Sequence, residues 1–204
     1  MIAIIDYDAG NIKSVEKAII SLGEEAVLTR DREVLLSADG VILPGVGSFG
    51  DAMEKLHSYG LVSVIKEVVE KGIPFLGICL GLQLMFESSE ESPGVEGLHL
   101  LDGKIIKIPA NDGLKIPQIG WNNLTYPNKG RLFDGVPEDS FVYFVHSYYL
   151  QAADESIVTA TTEYGVTIHA SVEKGNVFAC QFHPEKSSET GLKMLQNFIQ
   201  ITKQ

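Results

Sequence analysis

The sequence is poor in basic residues and in cysteine, and each shortage excludes a class of protein. Its 204 residues include 16 lysines and arginines against 27 acidic residues, a net charge of −11 at pH 7. A surface of that sign repels phosphate backbones, so nucleic acid is not expected as a partner. Two cysteines do not make a disulfide scaffold, and a chain of this length buries roughly 70% of its unfolded surface without one.

Long apolar runs are also missing. No stretch approaches 18 consecutive apolar residues, so we expect neither a transmembrane helix nor a membrane partner. The first residues lack a basic leader and reach an acid at Asp6, which is not typical of a signal peptide. Cys79 and Cys180 are therefore expected to be free thiols in the reducing cytoplasm.

The first half of the chain alternates short apolar runs with helical periodicity. Ile12, Val15, Ile19 and Leu22 recur at helical spacing, and Leu61–Val69 does the same before Gly72 and Pro74. The predicted strands are Ile2–Ile5, Glu25–Thr29, Gly40–Leu43 and Phe75–Ile78, with Leu80–Phe86 as a further helix. This alternation predicts an α/β fold with a mostly parallel central sheet flanked by helices.

The second half has a different pattern. Strand-like runs separated by glycine, proline, asparagine and aspartate cover Lys104–Pro109, Phe141–His146, Ile157–Thr162, Val166–Val172 and Val177–Phe182. We expect them to extend the sheet as antiparallel strands, followed by a last helix over Leu192–Ile199. The polar stretch Ser88–Gly97 is expected to be a surface loop. No linker is evident, so residues 1–204 are predicted to form a single domain.

The glycine-flanked cysteine in Gly77-Ile78-Cys79-Leu80-Gly81 is the strongest chemical motif. It lies where an apolar strand turns into a helix, which is the position and spacing of a nucleophile elbow. Such a turn would lift the sulfur out of the sheet, so Cys79 is a candidate nucleophile. The alternative is a buried structural cysteine. Cys180 lies within a predicted strand, without an elbow, and is expected to fill the core.

A cysteine nucleophile needs a base and a group that orients the base. His183-Pro184-Glu185 offers both, because residues i and i+2 of an extended segment point the same way. His146 is the competing histidine and is expected to end a strand beside the site. The histidines and cysteines show no spacing typical of a metal site.

The segment Gly45-Val46-Gly47-Ser48-Phe49-Gly50 matches the letters of a dinucleotide fingerprint. That motif belongs after the first strand, whereas this match follows the third, so dinucleotide binding is not expected. Glycines after a strand let backbone N–H groups turn toward a developing oxyanion. A plain glycine turn is the alternative interpretation.

Together these motifs resemble the class I glutamine amidotransferases, and the resemblance covers nearly the whole chain. Within that class the sequence is similar to the glutaminase subunits of imidazole glycerol phosphate synthase. The segments that carry this similarity are Asp6–Asn11, Pro44–Phe49, Gly77–Gln83, Gly120–Asn122, Tyr143–Tyr149 and Gln181–Ser187. Two departures are Asp8, where glycine is commoner, and Cys180, where a small or aliphatic residue is usual.

The resemblance implies roles for individual residues. It implies Cys79 as nucleophile, His183 as base and Glu185 as the orienting carboxylate. The residues implied to bind glutamine are Gly47 and Leu80 at the oxyanion, Gln83 and Glu91 at the head group, and Ser147 and Tyr148 through their backbone. Asn11, Trp121, Tyr143 and Lys186 match interface positions. For Glu91 a solvated charge is the alternative, and for Trp121 core packing.

The resemblance also implies a function. Glutamine is hydrolysed to glutamate and ammonia without a metal or an organic cofactor, and the ammonia passes to a separate cyclase subunit with a (β/α)₈ barrel. The chain would then be half of a heterodimer and a poor glutaminase alone. Three alternatives stay open at this point: a glutaminase of another biosynthetic pathway, a stand-alone cysteine hydrolase, and a non-catalytic binding module with a buried thiol.

Overall fold

The structure, a computed structural model, describes residues 1–110 and 113–204. The helices in that part of the chain are α1 (Ile12–Ser21), α2 (Arg32–Ser37), α3 (Phe49–Ser58), α4 (Leu61–Glu70), α5 (Leu80–Leu84) and α6 (Ser188–Ile201). The strands are β1 (Ile2–Ile5), β2 (Ala26–Thr29), β3 (Gly40–Leu43), β4 (Phe75–Ile78), β5 (Ser88–Ser89), β6 (Gly103–Lys107), β7 (Gln118–Asn123), β8 (Phe141–His146), β9 (Tyr148–Ala152), β10 (Val158–Glu163), β11 (Thr167–Lys174) and β12 (Val177–Cys180). Among these helices, none is long and apolar enough to cross a membrane.

The main sheet runs in the order β2-β1-β3-β4-β12-β11-β9-β6-β5, with β10 also paired to β11. The first five strands are parallel, and β11, β9 and β6 continue the sheet with antiparallel pairing. The predicted α/β class, with a mostly parallel sheet extended by antiparallel strands, is confirmed. The carboxyl ends of β3, β4 and β12 therefore meet at one edge, where sites form in such sheets.

Two apolar layers cover the faces of the sheet. Along β1 the residues alternate, so that Ala3 and Ile5 pack into the layer beneath α3 and α4, whereas Ile2 and Ile4 pack into the layer beneath α1 and α6. All four β1 residues are completely buried. Burial on both faces explains why the parallel strands are continuous apolar runs in the sequence.

Some sequence expectations were wrong in detail. Phe141–His146 does not extend the main sheet, because β8 pairs antiparallel with β7 in a separate two-stranded sheet. The predicted helix Leu80–Phe86 ends at Leu84, and the strand predicted over Val177–Phe182 ends at Cys180, where β12 pairs parallel with β4. The predicted loop Ser88–Gly97 begins with the short strand β5.

Besides β5, two helices and two strands escaped the sequence analysis. The helix α3 carries Phe49, Ala52, Met53 and Leu56 at helical spacing, a signal obscured by the glycines at its start. The helix α2 has six residues and is capped by the Asp31 side chain. The strands β7 and β9 contain polar residues that break the apolar pattern.

Candidate active site

Cys79 lies at the sharp turn between β4 and α5. Its φ of 55° and ψ of −107° are values that a non-glycine residue rarely adopts. A Cβ on Gly77 would lie 2.8 Å from the Gly81 carbonyl oxygen, and a Cβ on Gly81 would lie 1.8 Å from the Leu43 carbonyl oxygen. The two glycines are therefore required by the close approach of strand, turn and helix, as the elbow motif predicts.

His183 and Glu185 form a buried pair beside this turn. The Nδ1 of His183 lies 2.8 Å from Oε1 of Glu185, and the two side chains are 1% and 0% exposed. The segment is not extended as the sequence argument assumed, because Pro184–Lys186 forms one turn of 3₁₀ helix. The same Glu185 oxygen accepts a 2.6 Å hydrogen bond from Nδ2 of Asn11, so α1 also helps to hold the carboxylate.

Backbone contacts place the imidazole of His183 near the sulfur. The His183 amide donates to the Tyr143 carbonyl at 2.9 Å, and the Ser187 hydroxyl donates to the His183 carbonyl at 2.6 Å. Burial lowers the pKa of His183, but its interactions with Cys79 and Glu185 outweigh burial and raise that pKa to about 9. The Nε2 atom is buried and has no aligned hydrogen-bond partner in the described part of the chain. It lies close enough to Cys79 for the thiol to affect its pKa.

A cavity of about 170 Å³ opens beside the sulfur. It brings together Cys79 and all six residues that the resemblance implied for glutamine: Gly47, Leu80, Gln83, Glu91, Ser147 and Tyr148. Val46, Pro117 and His146 complete the lining. The lining residues come from five separate stretches of the sequence, so only the fold assembles them.

The two head-group candidates are already held by protein contacts. Nε2 of Gln83 donates to the Tyr148 carbonyl at 3.0 Å and lies 3.0 Å from Oε1 of Gln181. Oε2 of Glu91 accepts a 2.8 Å hydrogen bond from the Phe49 amide at the start of α3. Glu91 is thus fixed at the cavity and is not the freely solvated charge of the alternative interpretation.

One of the two implied oxyanion donors is already hydrogen-bonded in this conformation. The Leu80 amide, which the resemblance implies as a donor, instead donates to the Gly45 carbonyl at 3.3 Å. Gly47 has a φ of 105°, which only glycine adopts readily. The Tyr7 hydroxyl anchors the start of this segment by donating to the Pro44 carbonyl at 2.8 Å.

His146 is a neutral group in the cavity wall. Burial lowers its pKa to about 4. Its Nδ1 lies 2.9 Å from the Tyr148 carbonyl and its Nε2 lies 2.8 Å from the Gln118 side chain. A carbonyl only accepts, so Nδ1 carries the proton. His146 ends β8 beside the site, as expected, and its ring is committed to structural contacts.

The four residues implied as interface positions have different surroundings. Trp121 is 51% exposed, which excludes the alternative of core packing, and its ring packs edge-on against Tyr143 with 6.0 Å between centroids. Lys186 is exposed. Asn11 is half-buried, and its side chain donates a hydrogen bond to the Glu185 carboxylate in this structure.

Cys180 is buried in the layer beneath α1 and α6, as expected for a core residue. Burial raises its pKa well above the usual value. Its Sγ lies 3.5 Å from the Phe182 carbonyl. Within residues 1–110 and 113–204, no three or more histidine, cysteine or acidic side chains are grouped to hold a metal ion.

Gln181 is the residue at the sulfur that the sequence analysis missed. It is completely buried, and its Nε2 lies 3.7 Å from Cys79 Sγ. The available signal was a single polar residue within the apolar run Val177–Phe182. Pro117 was also missed, since nothing in its local sequence connects it to Cys79.

Known proteins match this chain along nearly its whole length. The family described as "Glutamine amidotransferase class-I" matches residues 3–201. Curated relatives named "Imidazole glycerol phosphate synthase subunit HisH" include that of Moorella thermoacetica, 52% identical over 99% of this chain and 95% of its own length. Those of Aquifex aeolicus and Methanothermobacter thermautotrophicus are 51% and 48% identical, covering 96% and 98% of this chain and 94% and 98% of their own lengths.

Solved structures show the same fold at lower identity. A chain of PurLQS from Thermotoga maritima superposes with a TM-score of 0.76 at 22% identity, over 98% of this chain and 97% of its own. A structure described as glutamine amidotransferase gives a TM-score of 0.76 at 20% identity, over 99% of both chains. At these identities the likeness concerns the fold alone.

Proposed function

The chain belongs to the class I glutamine amidotransferases, and from this membership we propose that it is the glutaminase subunit of an imidazole glycerol phosphate synthase, in histidine biosynthesis. Relatives of that name are about half identical along nearly the full length. The observation that carries the proposal is the strained cysteine, which lines the cavity and lies beside a buried His–Glu pair.

We propose Cys79 as nucleophile, His183 as acid and base, and Glu185 as the carboxylate that orients the imidazole. The contact between His183 Nδ1 and Glu185 leaves Nε2 directed to the sulfur side. A pKa of about 9 keeps His183 protonated at neutral pH, so a proton is available for the leaving group. Asn11 supports the same carboxylate and limits its rotation.

The reaction follows from these positions. The Cys79 thiolate attacks the side-chain carbonyl carbon of glutamine and forms an S–C bond. His183 gives its proton to the amide nitrogen, the C–N bond breaks and ammonia leaves. His183 then takes a proton from water as the water attacks the thioester; the S–C bond breaks, glutamate is released, and the thiolate–imidazolium pair is restored. We propose that Gln83 and Glu91 hold the glutamine head group, with Ser147 and Tyr148 contributing backbone contacts.

The oxyanion site requires a change in the glycine segment. In this conformation the Leu80 N–H is hydrogen-bonded to the Gly45 carbonyl. We propose that in the active form this carbonyl turns away, so that the Leu80 N–H is free to bind the oxyanion and the Gly47 N–H is the second donor. Gly45 and Gly47 make such a rotation accessible. Low activity of the chain alone follows, because losing an oxyanion donor costs about a hundred- to a thousandfold in rate.

We propose a heterodimer with a cyclase subunit that has a (β/α)₈ barrel. Ammonia released into water would be protonated and lose its nucleophilicity, so it has to pass directly to a second active site. The names of the relatives describe subunits, which supports a partner of this kind. We also propose a cytoplasmic location, since the chemistry of the Cys79 thiol depends on reducing conditions.

Glutaminase assays on three samples test the function. The chain alone, its complex with the cyclase, and the complex loaded with the cyclase's nucleotide ligand are compared at equal concentration. We expect activity to rise from the first sample to the third, by about a thousandfold in all. Equal activity in all three would indicate a stand-alone hydrolase, and no activity in any would exclude a glutaminase.

A further inference from the structure

One backbone carbonyl and two buried side-chain amides form a hydrogen-bonded chain that ends at the Cys79 sulfur. The Tyr148 carbonyl accepts from Nε2 of Gln83, this nitrogen contacts Oε1 of Gln181, and Nε2 of Gln181 lies 3.7 Å from Sγ. Gln83 is 5% exposed and Gln181 is completely buried. The two amides of this hydrogen-bonded chain therefore lie inside the protein, where hydrogen bonds are stronger than in water.

The direction of the Gln181 amide follows from the first member of this chain. A backbone carbonyl only accepts, so the atom of Gln83 that contacts Tyr148 is its nitrogen. That nitrogen only donates, so the Gln181 atom it meets is the oxygen. The remaining end of the Gln181 amide is then its NH₂ group, and it faces the sulfur. The donor and acceptor chemistry of the three groups thus fixes the orientation of both amides.

We propose that Gln181 is a positioning residue that donates an N–H to the Cys79 sulfur and stabilises its thiolate, and that Gln83 fixes the direction of this donor. The proposal rests on the role of Cys79 in the proposed function. A donor favours the thiolate here because the Val145 carbonyl oxygen lies 4.0 Å from the sulfur, and a carbonyl oxygen disfavours a negative charge beside it. A hydrogen bond to a charged group is stronger than one between neutral groups.

Other groups also act on the sulfur and have to be kept constant in any test. The titratable side chains around it are His183 and Glu185 after β12, Tyr7 after β1, Cys180 in β12, His146 at the end of β8 and Glu91 in the cavity wall. Replacing Gln181 or Gln83 by methionine leaves all of these in place and keeps the side-chain volume similar.

Alkylation of Cys79 by iodoacetamide as a function of pH tests the proposal. The full chain carries Cys180→Ala, so that one thiol reacts, and the thiolate is the reacting form. We expect Gln181→Met to move the pH midpoint of the rate upward by about one unit, which is about tenfold less thiolate below the midpoint. The limiting rate at high pH should change little, because access to the sulfur is retained.

A matched control removes a buried amide elsewhere. Asn197 is 3% exposed and donates to two backbone carbonyls, those of Leu132 and Asp134, away from the sulfur. Asn197→Leu should leave the midpoint unchanged even where it lowers stability. Gln83→Met should give a smaller upward shift than Gln181→Met, and the double variant should match Gln181→Met alone because the two residues act in series.

An unchanged midpoint in folded Gln181→Met would overturn the proposal. If that variant does not fold, Gln83→Met takes its place. An unchanged pH midpoint in Gln83→Met would show that the Gln83–Gln181 contact does not act on the sulfur, which would also overturn the proposal. The measurement needs no glutamine, so it separates two failures. An inactive parent complex argues against the proposed function, whereas an active parent whose variants keep the parental midpoint argues against Gln181 alone.

Discussion

The backbone of Cys79 is strained, and its neighbours keep it so. A non-glycine residue at such angles costs about 1–3 kcal/mol, and the cost is met by packing around it. Gly77 and Gly81 allow strand and helix to approach within distances that no side chain permits, and the Cys79 amide donates to the Cys180 carbonyl at 2.8 Å. The strained turn holds the sulfur at the edge of the sheet, facing the cavity.

The two cysteines provide a prediction at this scale. Cys79→Ala should lower glutaminase activity of the loaded complex by at least about a thousandfold, because the nucleophile is lost. Cys180→Ala is the matched control: its thiol only packs, so activity should remain within about threefold while the free energy of unfolding falls by about 1 kcal/mol.

Ammonium salts complete this experiment. The Cys79→Ala complex should still make product when ammonium replaces glutamine, since the cyclase then receives ammonia directly. Retention of glutaminase activity in Cys79→Ala would contradict the proposed nucleophile. Loss of the ammonium-dependent reaction would show that the cysteine maintains the fold or the interface instead.

Asp8 is a non-glycine residue in a left-handed backbone conformation. Its φ of 61° is a value that glycine adopts more readily than other residues. The Asp8 carboxylate accepts from the Tyr59 hydroxyl and from the Arg30 guanidinium, and these bonds lower its pKa. Arg30 in turn stacks 4.1 Å from the centre of the Tyr59 ring. This cluster offsets the strain of the left-handed backbone.

At the scale of elements, the two-stranded sheet of β7 and β8 is separate from the main sheet. Its inner face is buried through Val142 and Phe144. Its outer face carries Ile119, Trp121 and Phe141, which are 63%, 51% and 56% exposed. Exposed apolar groups gathered on one face are typical of a protein interface, which supports the proposed role of Trp121 and Tyr143.

Truncating this face should weaken binding to the cyclase. We expect Trp121→Ala to raise the Kd of the complex by at least about tenfold, because a central aromatic side chain often contributes most of the affinity. The free energy of unfolding of the isolated chain should change by less than about 0.5 kcal/mol, since the ring is exposed. Titration calorimetry and denaturant unfolding measure the two effects.

Ile20→Ala is the control for this prediction. Ile20 is 54% exposed near the end of α1, away from the sheet of β7 and β8. It should leave the Kd unchanged. If both variants bind the cyclase as the parent does, the partner contacts another surface.

At the scale of the whole molecule, two buried histidines with opposite shifts set the dependence of stability on pH. The pKa of His146 is lowered to about 4 by burial. As the pH falls, the unfolded chain therefore protonates this histidine before the folded chain does, and the free energy of unfolding decreases. The pKa of His183 is raised to about 9. Its stabilising contribution to the free energy of unfolding is therefore complete below pH 6.5 and is lost as the pH rises through 9. The two effects together place a stability maximum near pH 6.5.

Denaturant unfolding of the isolated chain at a series of pH values checks this maximum. Between pH 6.5 and 4 the free energy of unfolding should fall by about 3 kcal/mol through His146 alone. His146→Gln should flatten the acidic side, and His183→Gln the alkaline side. A parent whose stability is constant from pH 5 to 9 would contradict both assignments.

The arrangement of the layers also bears on domain organisation. The apolar layer that contains β1 residues Ile2 and Ile4 also contains Leu195 and Phe198 of α6, so the two ends of the chain share one core. We therefore propose that residues 1–204 form one domain. No segment would then be expected to fold when expressed without the rest.

The sequence by itself determined the elements whose pattern is local. Ile2–Ile5, Gly40–Leu43 and Phe75–Ile78 were predicted with the bounds they have in the structure, because strands buried on both faces are uninterrupted apolar runs. The elbow at Cys79 was predictable for a similar reason. Its glycines flank the cysteine directly, and the close approach of Gly77 to the Gly81 carbonyl lies within five residues, although Gly81 also packs against the Leu43 carbonyl of β3.

Tertiary structure decided what depends on contacts between distant residues. Glu91 reaches the cavity only because α3 binds its carboxylate, and Gln181 faces the sulfur only because Gln83 and Tyr148 orient its amide. The 3₁₀ turn at Pro184–Lys186 and the separate pairing of β8 with β7 likewise left no periodic pattern. Such features arise from hydrogen bonds across many residues, whereas periodicity records only which side chains are buried.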